Sequence, residues 1–151
     1  MTKNTSKKTY QADSIKVLKG LEAVRKRPGM YIGGTDETAY HHLASEILDN
    51  SIDEAVAGHA KVISVKLINK NTITISDDGR GIPIDKHPRK KKTALEVVMT
   101  SLHSGGKFNN NIYKSSAGLH GVGLSVVNAL SSKLNIRITK NAKIYNQDYS
   151  R

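Results

Sequence analysis

One long helical segment followed at once by two alternating runs constrains the fold of this chain more than any other feature. Over residues 38–57 apolar and polar residues recur at helical spacing, and Gly58 supplies a C-terminal stop. KVISVKLI (61–68) and TITIS (72–76) then alternate at period two, with Asn69, Lys70 and Asn71 to turn the chain between them. A helix leading into adjacent antiparallel strands predicts helices packed on one face of a mixed sheet, an α+β layer.

The rest of the chain extends this pattern. Helices are predicted over 15–25, 94–102 and 121–130, and strands over 133–139 and 143–149, the last two joined at Asn141 and Ala142. RPGMYIGGTD (27–36) reads as a turn-rich stretch, because the residue before a proline avoids helical geometry. Residues 1–14 read as a flexible arm. The Gly-, Ser- and Asn-rich stretch 104–120 is a long loop inside a compact domain, where a functional lid is the common reason.

Composition narrows the class. With one Phe and no Trp among 151 residues, the core must be mostly aliphatic. Without cysteine there is no disulfide or thiolate metal site, which suits a reducing cytoplasm. No apolar run approaches membrane-spanning length, and the first residues lack a hydrophobic signal segment. The net charge of +11, from 24 basic and 13 acidic residues, favours polyanionic partners such as DNA. Part of that excess lies in Arg89, Lys90, Lys91 and Lys92, a run that by itself reads as a solvated loop.

Three constellations carry chemistry. On the long helix Glu46, Asn50, Asp53 and Glu54 share a face, with Ala44, Leu48, Ile52 and Ala55 opposite. The pattern alone describes an amphipathic helix with a wet acidic side. It also permits a carboxylate to act as general base, with an amide oxygen one turn later as a Mg²⁺ ligand. Next, Asp77-Asp78-Gly79-Arg80-Gly81-Ile82-Pro83 follows a strand. A carboxylate at a strand end can accept a hydrogen bond from an exocyclic amine such as adenine N6, and Gly79 and Gly81 allow close backbone approach; a plain Asp-Gly turn is the alternative. Last, Gly118-Leu119-His120-Gly121-Val122-Gly123 opens an apolar helix, where exposed N–H groups and the helix dipole favour an anion. Its order is neither that of the dinucleotide-binding fingerprint nor that of the P-loop. Lys107, in SGGKF, adds a cation able to pair with phosphate.

In this order, EILDN (46–50), DDGRG (77–81) and GLHGVG (118–123) resemble the GHKL ATPase fold, a two-layer sandwich of the Bergerat type. VLKGLEAVRKRPGMYIG (17–33), HHLASEILDNSIDEAVAGHA (41–60), LHSGGKF (102–108) and GLHGVGLSVVNALS (118–131) resemble the B subunits of type IIA DNA topoisomerases, topoisomerase IV or gyrase, with a lean towards topoisomerase IV.

The resemblance implies Glu46 as general base for ATP hydrolysis and Asn50 as Mg²⁺ ligand. It places Asp77 on adenine with Gly81 and Ile82 lining that pocket. Lys107 and the backbone of Gly118, Leu119, His120, Gly121, Val122, Gly123 and Leu124 would hold the phosphates. Arg80 and Glu54 resemble a pair flanking the adenine site, and Tyr10 a tyrosine that reaches the partner subunit's nucleotide. The implied cofactors are ATP and Mg²⁺. The implied partners, through the parent protein, are DNA, a ParC- or GyrA-like topoisomerase A subunit, and a second B subunit that dimerises on ATP binding. All of these lie in the bacterial cytoplasm near the nucleoid. The family's sheet continues past Arg151, where a later strand carries a threonine beside the adenine-binding aspartate. A transducer domain, with a lysine for the γ-phosphate, and a DNA-cleaving TOPRIM domain follow. The expectation is therefore an arm over 1–14 and a partial ATPase domain over 15–151, unable to pass DNA strands by itself. The other readings are a non-catalytic remnant of the same family and a basic nucleic-acid-binding domain. A histidine-kinase catalytic domain is disfavoured, because RKRPGMYIG has no place in it.

Overall fold

The computed structural model describes Ile15, residues 17–105 and residues 121–151. The arm predicted over 1–14 and most of the loop predicted over 104–120 lie outside the described residues.

Two short helices begin the chain, α1 (Glu22–Lys26) and α2 (Gly29–Ile32). The second corrects the turn-rich reading of that stretch. Pro28 disfavours helix before it, but its own φ of −58° suits a helix start, and it sits as the N-cap of α2. Gly33, at φ +77°, ends the turn in the left-handed region open to glycine. The helix expected from residue 15 is confined to α1.

The long helix α3 (Glu37–Val56) forms as expected. Asp36 caps it, its side chain accepting from the Ala39 N–H at 3.1 Å. Its faces differ from the simple amphipathic reading. Asp53 is only 3 % exposed and Ser51 only 4 %, whereas Ile52 and Val56 are exposed. The polar side of α3 therefore turns inward, and part of the apolar side turns out.

Strands β1 (Ile63–Asn69) and β2 (Thr72–Asp77) pair antiparallel, as do β3 (Lys133–Lys140) and β4 (Lys143–Ser150). Among the described residues the two ladders are not hydrogen-bonded to each other, and neither holds a parallel pair. In β3, Leu134, Ile136 and Ile138 face inward and alternate with exposed Lys133, Asn135, Arg137 and Thr139. On β1–β2 the row Val65, Leu67 and Ile73 stays exposed, with no helix covering it among the described residues.

Helices α4 (Ala94–Thr100) and α5 (Gly123–Leu130) complete the fold. Thr93 caps α4 by accepting from the Glu96 N–H at 3.1 Å. Helix α5 is the central element, with Ser125 to Ala129 all buried. On one side Val126 and Ala129 pack with Val24 of α1, joined by Leu21, Tyr31 and Leu43. On the other, Leu124 joins the cluster of Leu95 and Met99 from α4 with Ile138 from β3. Among the described residues the largest fully buried side chains are Met99, Val24, Val126 and Ser125, none of them aromatic, in keeping with the composition. Asn128 of α5 is buried too, and donates to the Met99 carbonyl at 2.9 Å where α4 ends.

Candidate functional site

Helix α3 is the wall on which two separate loops meet. At its middle, Glu46 is half-buried and its carboxylate lies against Gly123, occupying the space a side chain there would need. Only glycine can open α5 at this point without displacing Glu46. The contact puts a carboxylate at the first turn of α5, whose N-cap Val122 supplies no side-chain acceptor.

One turn further along α3, the Asn50 amide donates through Nδ2 to the Glu46 carbonyl at 2.5 Å. That bond fixes the amide, and its oxygen makes no hydrogen bond among the described residues. An oriented carbonyl-type oxygen is the donor a hard divalent cation accepts. Among the described residues no group of three or more His, Asp or Glu side chains forms a metal cage. This donor set fits an ion that takes one protein oxygen and fills its remaining positions with water and phosphate, the habit of Mg²⁺.

The next turn of α3 reaches the end of β2. The buried Ser51 hydroxyl donates to Asp77 Oδ2 at 2.7 Å, and the Gly79 N–H donates to Oδ1 at 3.0 Å. Asp77 is thus held from both sides, yet it remains exposed and each oxygen retains a lone pair. Asp78 points elsewhere. Its Oδ1 accepts from the N–H groups of Lys61 at 2.7 Å and Val62 at 2.9 Å, tying the end of β2 to the approach to β1. Those backbone donors, Val62 first, hold its carboxyl below its ordinary value of 3.8. Both aspartates are exposed, but they divide the work: Asp78 ties two backbone N–H groups, while Asp77 is held by α3 and its own loop.

Glu54, a turn beyond Asn50, grips the same loop. Its carboxylate pairs bidentately with Arg80, at 2.7 Å to Nη2 and 3.1 Å to Nε, and also accepts from the Arg80 N–H at 3.0 Å. The glycine spacing follows from this packing. A Cβ on Gly79 would lie 2.8 Å from Asp77 Oδ1 and 3.1 Å from Glu54 Oε2. Gly81, at φ +71°, would bring a Cβ to 2.9 Å from Ile138. Both glycines make room for the protein's own side chains. Ile82 is half-buried against the cluster of Leu95, Met99 and Ile138.

The structure thus gathers Glu46, Asn50, Asp77, Gly81, Gly123 and the Glu54–Arg80 pair around α3. Gly121, at φ +60°, and Val122 lead into α5, and Leu124 lies in the core. The backbone N–H of Ser104 bonds to the Gly121 carbonyl at 3.0 Å. Tyr10, Lys107, Gly118, Leu119 and His120 lie outside the described residues. Sequence reasoning passed over two residues. Ser51 carries no signal as a lone helical serine. His42 lies one turn before Glu46 and lines a cleft with Glu46, Tyr31, Ile32 and Gly33; its i, i+4 spacing from Glu46 was the available signal.

Most of the chain matches a known family. The profile of the family described as histidine kinase-, DNA gyrase B-, and HSP90-like ATPase matches residues 35–147. The B subunit of DNA topoisomerase 4 from Rickettsia bellii is 62% identical over 144 residues, covering 95% of this chain and 22% of that protein. The B subunit of DNA gyrase from Thermotoga maritima is 57% identical over 142 residues, covering 94% of this chain and 22% of that protein. The crystal structure of the 43K ATPase domain of Thermus thermophilus gyrase B, in complex with an aminocoumarin, superposes with a TM-score of 0.74 at 46% identity. That match covers 87% of this chain and 31% of the other. The chain therefore spans about a fifth of the length of the curated relatives it matches.

Proposed function

The chain belongs to the histidine kinase-, DNA gyrase B- and HSP90-like ATPase family, and on that premise we propose that it is the ATP-binding part of a type II DNA topoisomerase B subunit. The observation that carries the reading is the convergence on one face of α3. There Glu46 meets the start of α5, while Ser51 and Glu54 hold the Asp77–Gly81 loop. A carboxylate base, an oxygen donor and an adenine acceptor on one helix and its adjoining loop are what hydrolysis of a bound nucleotide requires.

In this reading Asp77 accepts from adenine N6, which is a donor, with Gly81 and Ile82 beside it. Ser51 and the Gly79 N–H keep the carboxylate in place before nucleotide arrives. Phosphates lie towards the start of α5, where Gly121, Val122, Gly123 and Leu124 continue from Gly118, Leu119 and His120, with Lys107 as a further cation. Glu46 orients a water and takes its proton as the water attacks the γ-phosphorus, whose bond to the bridging oxygen breaks so that ADP leaves and inorganic phosphate forms. His42, lining the cleft beside Glu46, is placed to assist that water. Asn50 is the side chain that would hold Mg²⁺, which neutralises phosphate charge when bound. Tyr10 reaches a partner subunit's nucleotide.

Residues 15–151 then belong to one ATPase domain. Closure of a B-subunit dimer, pairing with the A subunit of the enzyme and passage of DNA are activities of the whole assembly. A cytoplasmic site near the nucleoid accords with these partners. The test is calorimetry with a non-hydrolysable ATP analogue and Mg²⁺, alongside turnover, for wild type and Glu46→Ala in the full-length gene product. Glu46→Ala should retain binding and lose hydrolysis. Hydrolysis that survives the substitution would remove Glu46 from its role, and absence of nucleotide binding by the wild type would end the reading.

A further inference from the structure

The basic run after Pro88 has no part in the nucleotide site, yet it is not a loose solvated strand. Lys86 and Thr93 face each other in an isolated antiparallel bridge. Within it the His87 N–H donates to the Lys92 carbonyl at 2.9 Å, and the Lys90 N–H to the His87 carbonyl at 3.1 Å. The Ala94 N–H closes the base on the Asp85 carbonyl at 2.8 Å. The Arg89 N–H also donates to His87 Nδ1 at 3.2 Å, so this imidazole serves as an acceptor. The turn is a fixed protrusion at the foot of α4.

Its charge is concentrated and mostly uncompensated. Lys92 pairs with Glu96 at 2.6 Å. Lys86, Arg89, Lys90 and Lys91 are exposed, and among the described residues none of them makes an ion pair. Like charges held close in an ordered turn repel, and a polyanion relieves that repulsion while releasing its own counterions. The surface also extends beyond the turn. Ile84 and Thr93, at its base, line one side of a cleft whose other side is Ile144 and Tyr145 of β4. Ile144 follows Lys143, which pairs with Lys140 at the tip of the β3–β4 hairpin. Lys143 and its pair Lys140 therefore follow directly on the far wall of this cleft.

We propose that the Arg89–Lys90–Lys91 turn is a contact surface for the phosphate backbone of duplex DNA, continued by Lys140 and Lys143. The choice of DNA as the polyanion rests on the topoisomerase reading, whereas the surface itself rests on the turn. Recognition is independent of base sequence, because the cations present no rigid array to the base edges.

The test is fluorescence anisotropy of a short labelled duplex against the 151-residue chain over a salt series. R89Q/K90Q/K91Q should weaken binding about tenfold and lower the slope of log K against log salt by about 3, one for each phosphate no longer neutralised. K66Q/K70Q/K133Q removes the same charge from exposed positions elsewhere and should change affinity by less than about twofold, with the slope nearly kept. Equal weakening in both variants would reduce the effect to net charge and overturn the proposal. So would wild-type affinity in the turn variant, or a wild-type chain that binds short heparin chains and not the duplex. Nucleotide binding by the full-length protein, measured in parallel, separates the two claims. If it fails while the turn variant still loses duplex binding, the ATPase reading falls and the DNA surface stands.

Discussion

The Ser51 hydroxyl, buried in α3, donates a 2.7 Å hydrogen bond to Asp77 Oδ2 at the end of β2. This bond spans 26 residues of chain and fixes the carboxylate that ends β2. Ser51→Ala should leave the fold intact and lower nucleotide affinity about fivefold, the worth of a hydrogen bond of about 1 kcal/mol to the orienting carboxylate. Ser51→Thr, which keeps the hydroxyl, should restore most of it. Calorimetry with an ATP analogue checks both, and an alanine variant with unchanged affinity would confine Ser51 to a packing role.

Gly123 and Glu46 compete for one volume. Gly123→Ala forces the carboxylate away from the first turn of α5, and should cut turnover by about 10² or more while costing about 1–3 kcal/mol of stability through overpacking. In a Glu46→Ala background the same substitution meets only a methyl group. The stability cost should then fall by more than half, and thermal unfolding of the four proteins in a double-mutant cycle reads this coupling directly. Additive effects would mean that the two residues do not contend.

How much of this was legible in the residues depends on where each signal lay. The period of α3, the alternation of β1 to β4 and the motif order were readable because each is a local pattern repeated over several residues. The inward turn of Asp53 and Ser51 was not. Periodicity assigns a polar face to water unless another segment supplies partners, and for Ser51 the partner comes from the end of β2. Helix α2 was hidden because Pro28 and Gly29 read as breakers, while at a helix start the fixed φ of proline is an advantage. The spacing of Gly79 and Gly81 was visible in the sequence. Its cause, the Asp77 and Glu54 carboxylates and the Ile138 methyl, was not.

Asp78 gives the fold an acid-sensitive tie. The Val62 and Lys61 N–H groups hold its folded pKa below its ordinary value of 3.8. A depressed carboxylate pKa stabilises the folded state at pH above the unfolded value, and that contribution fades as pH falls through the folded pKa. Asp78→Asn should therefore be less stable than wild type at neutral pH, with the gap closing progressively below pH 3.8. Urea unfolding of both proteins across that range checks it, and a gap independent of pH would remove the charge from the account.

The hairpin joining β3 to β4 carries a local misfit that a single substitution relieves. Its two turn residues, Asn141 at φ +52° and Ala142 at φ +57°, both lie in the left-handed region. Lys140 pairs with Lys143 directly outside them, so this is a two-residue connection, and its twist matches the strands only when both φ values are positive. Asparagine tolerates that region, but an alanine there sets its Cβ against the following carbonyl, at a cost of about 1–2 kcal/mol. Ala142→Gly removes the clash and also loosens the unfolded chain, which returns up to about 1 kcal/mol of the gain. The net expectation is a stabilisation of roughly 0.5–1 kcal/mol, with no change in nucleotide affinity because the turn lies at the hairpin tip. Thermal unfolding reads the first and calorimetry the second. Ala142→Val, which adds a β-branch at the same positive φ, should move stability the opposite way. If both substitutions lowered stability, the strain assigned to Ala142 would have to be abandoned.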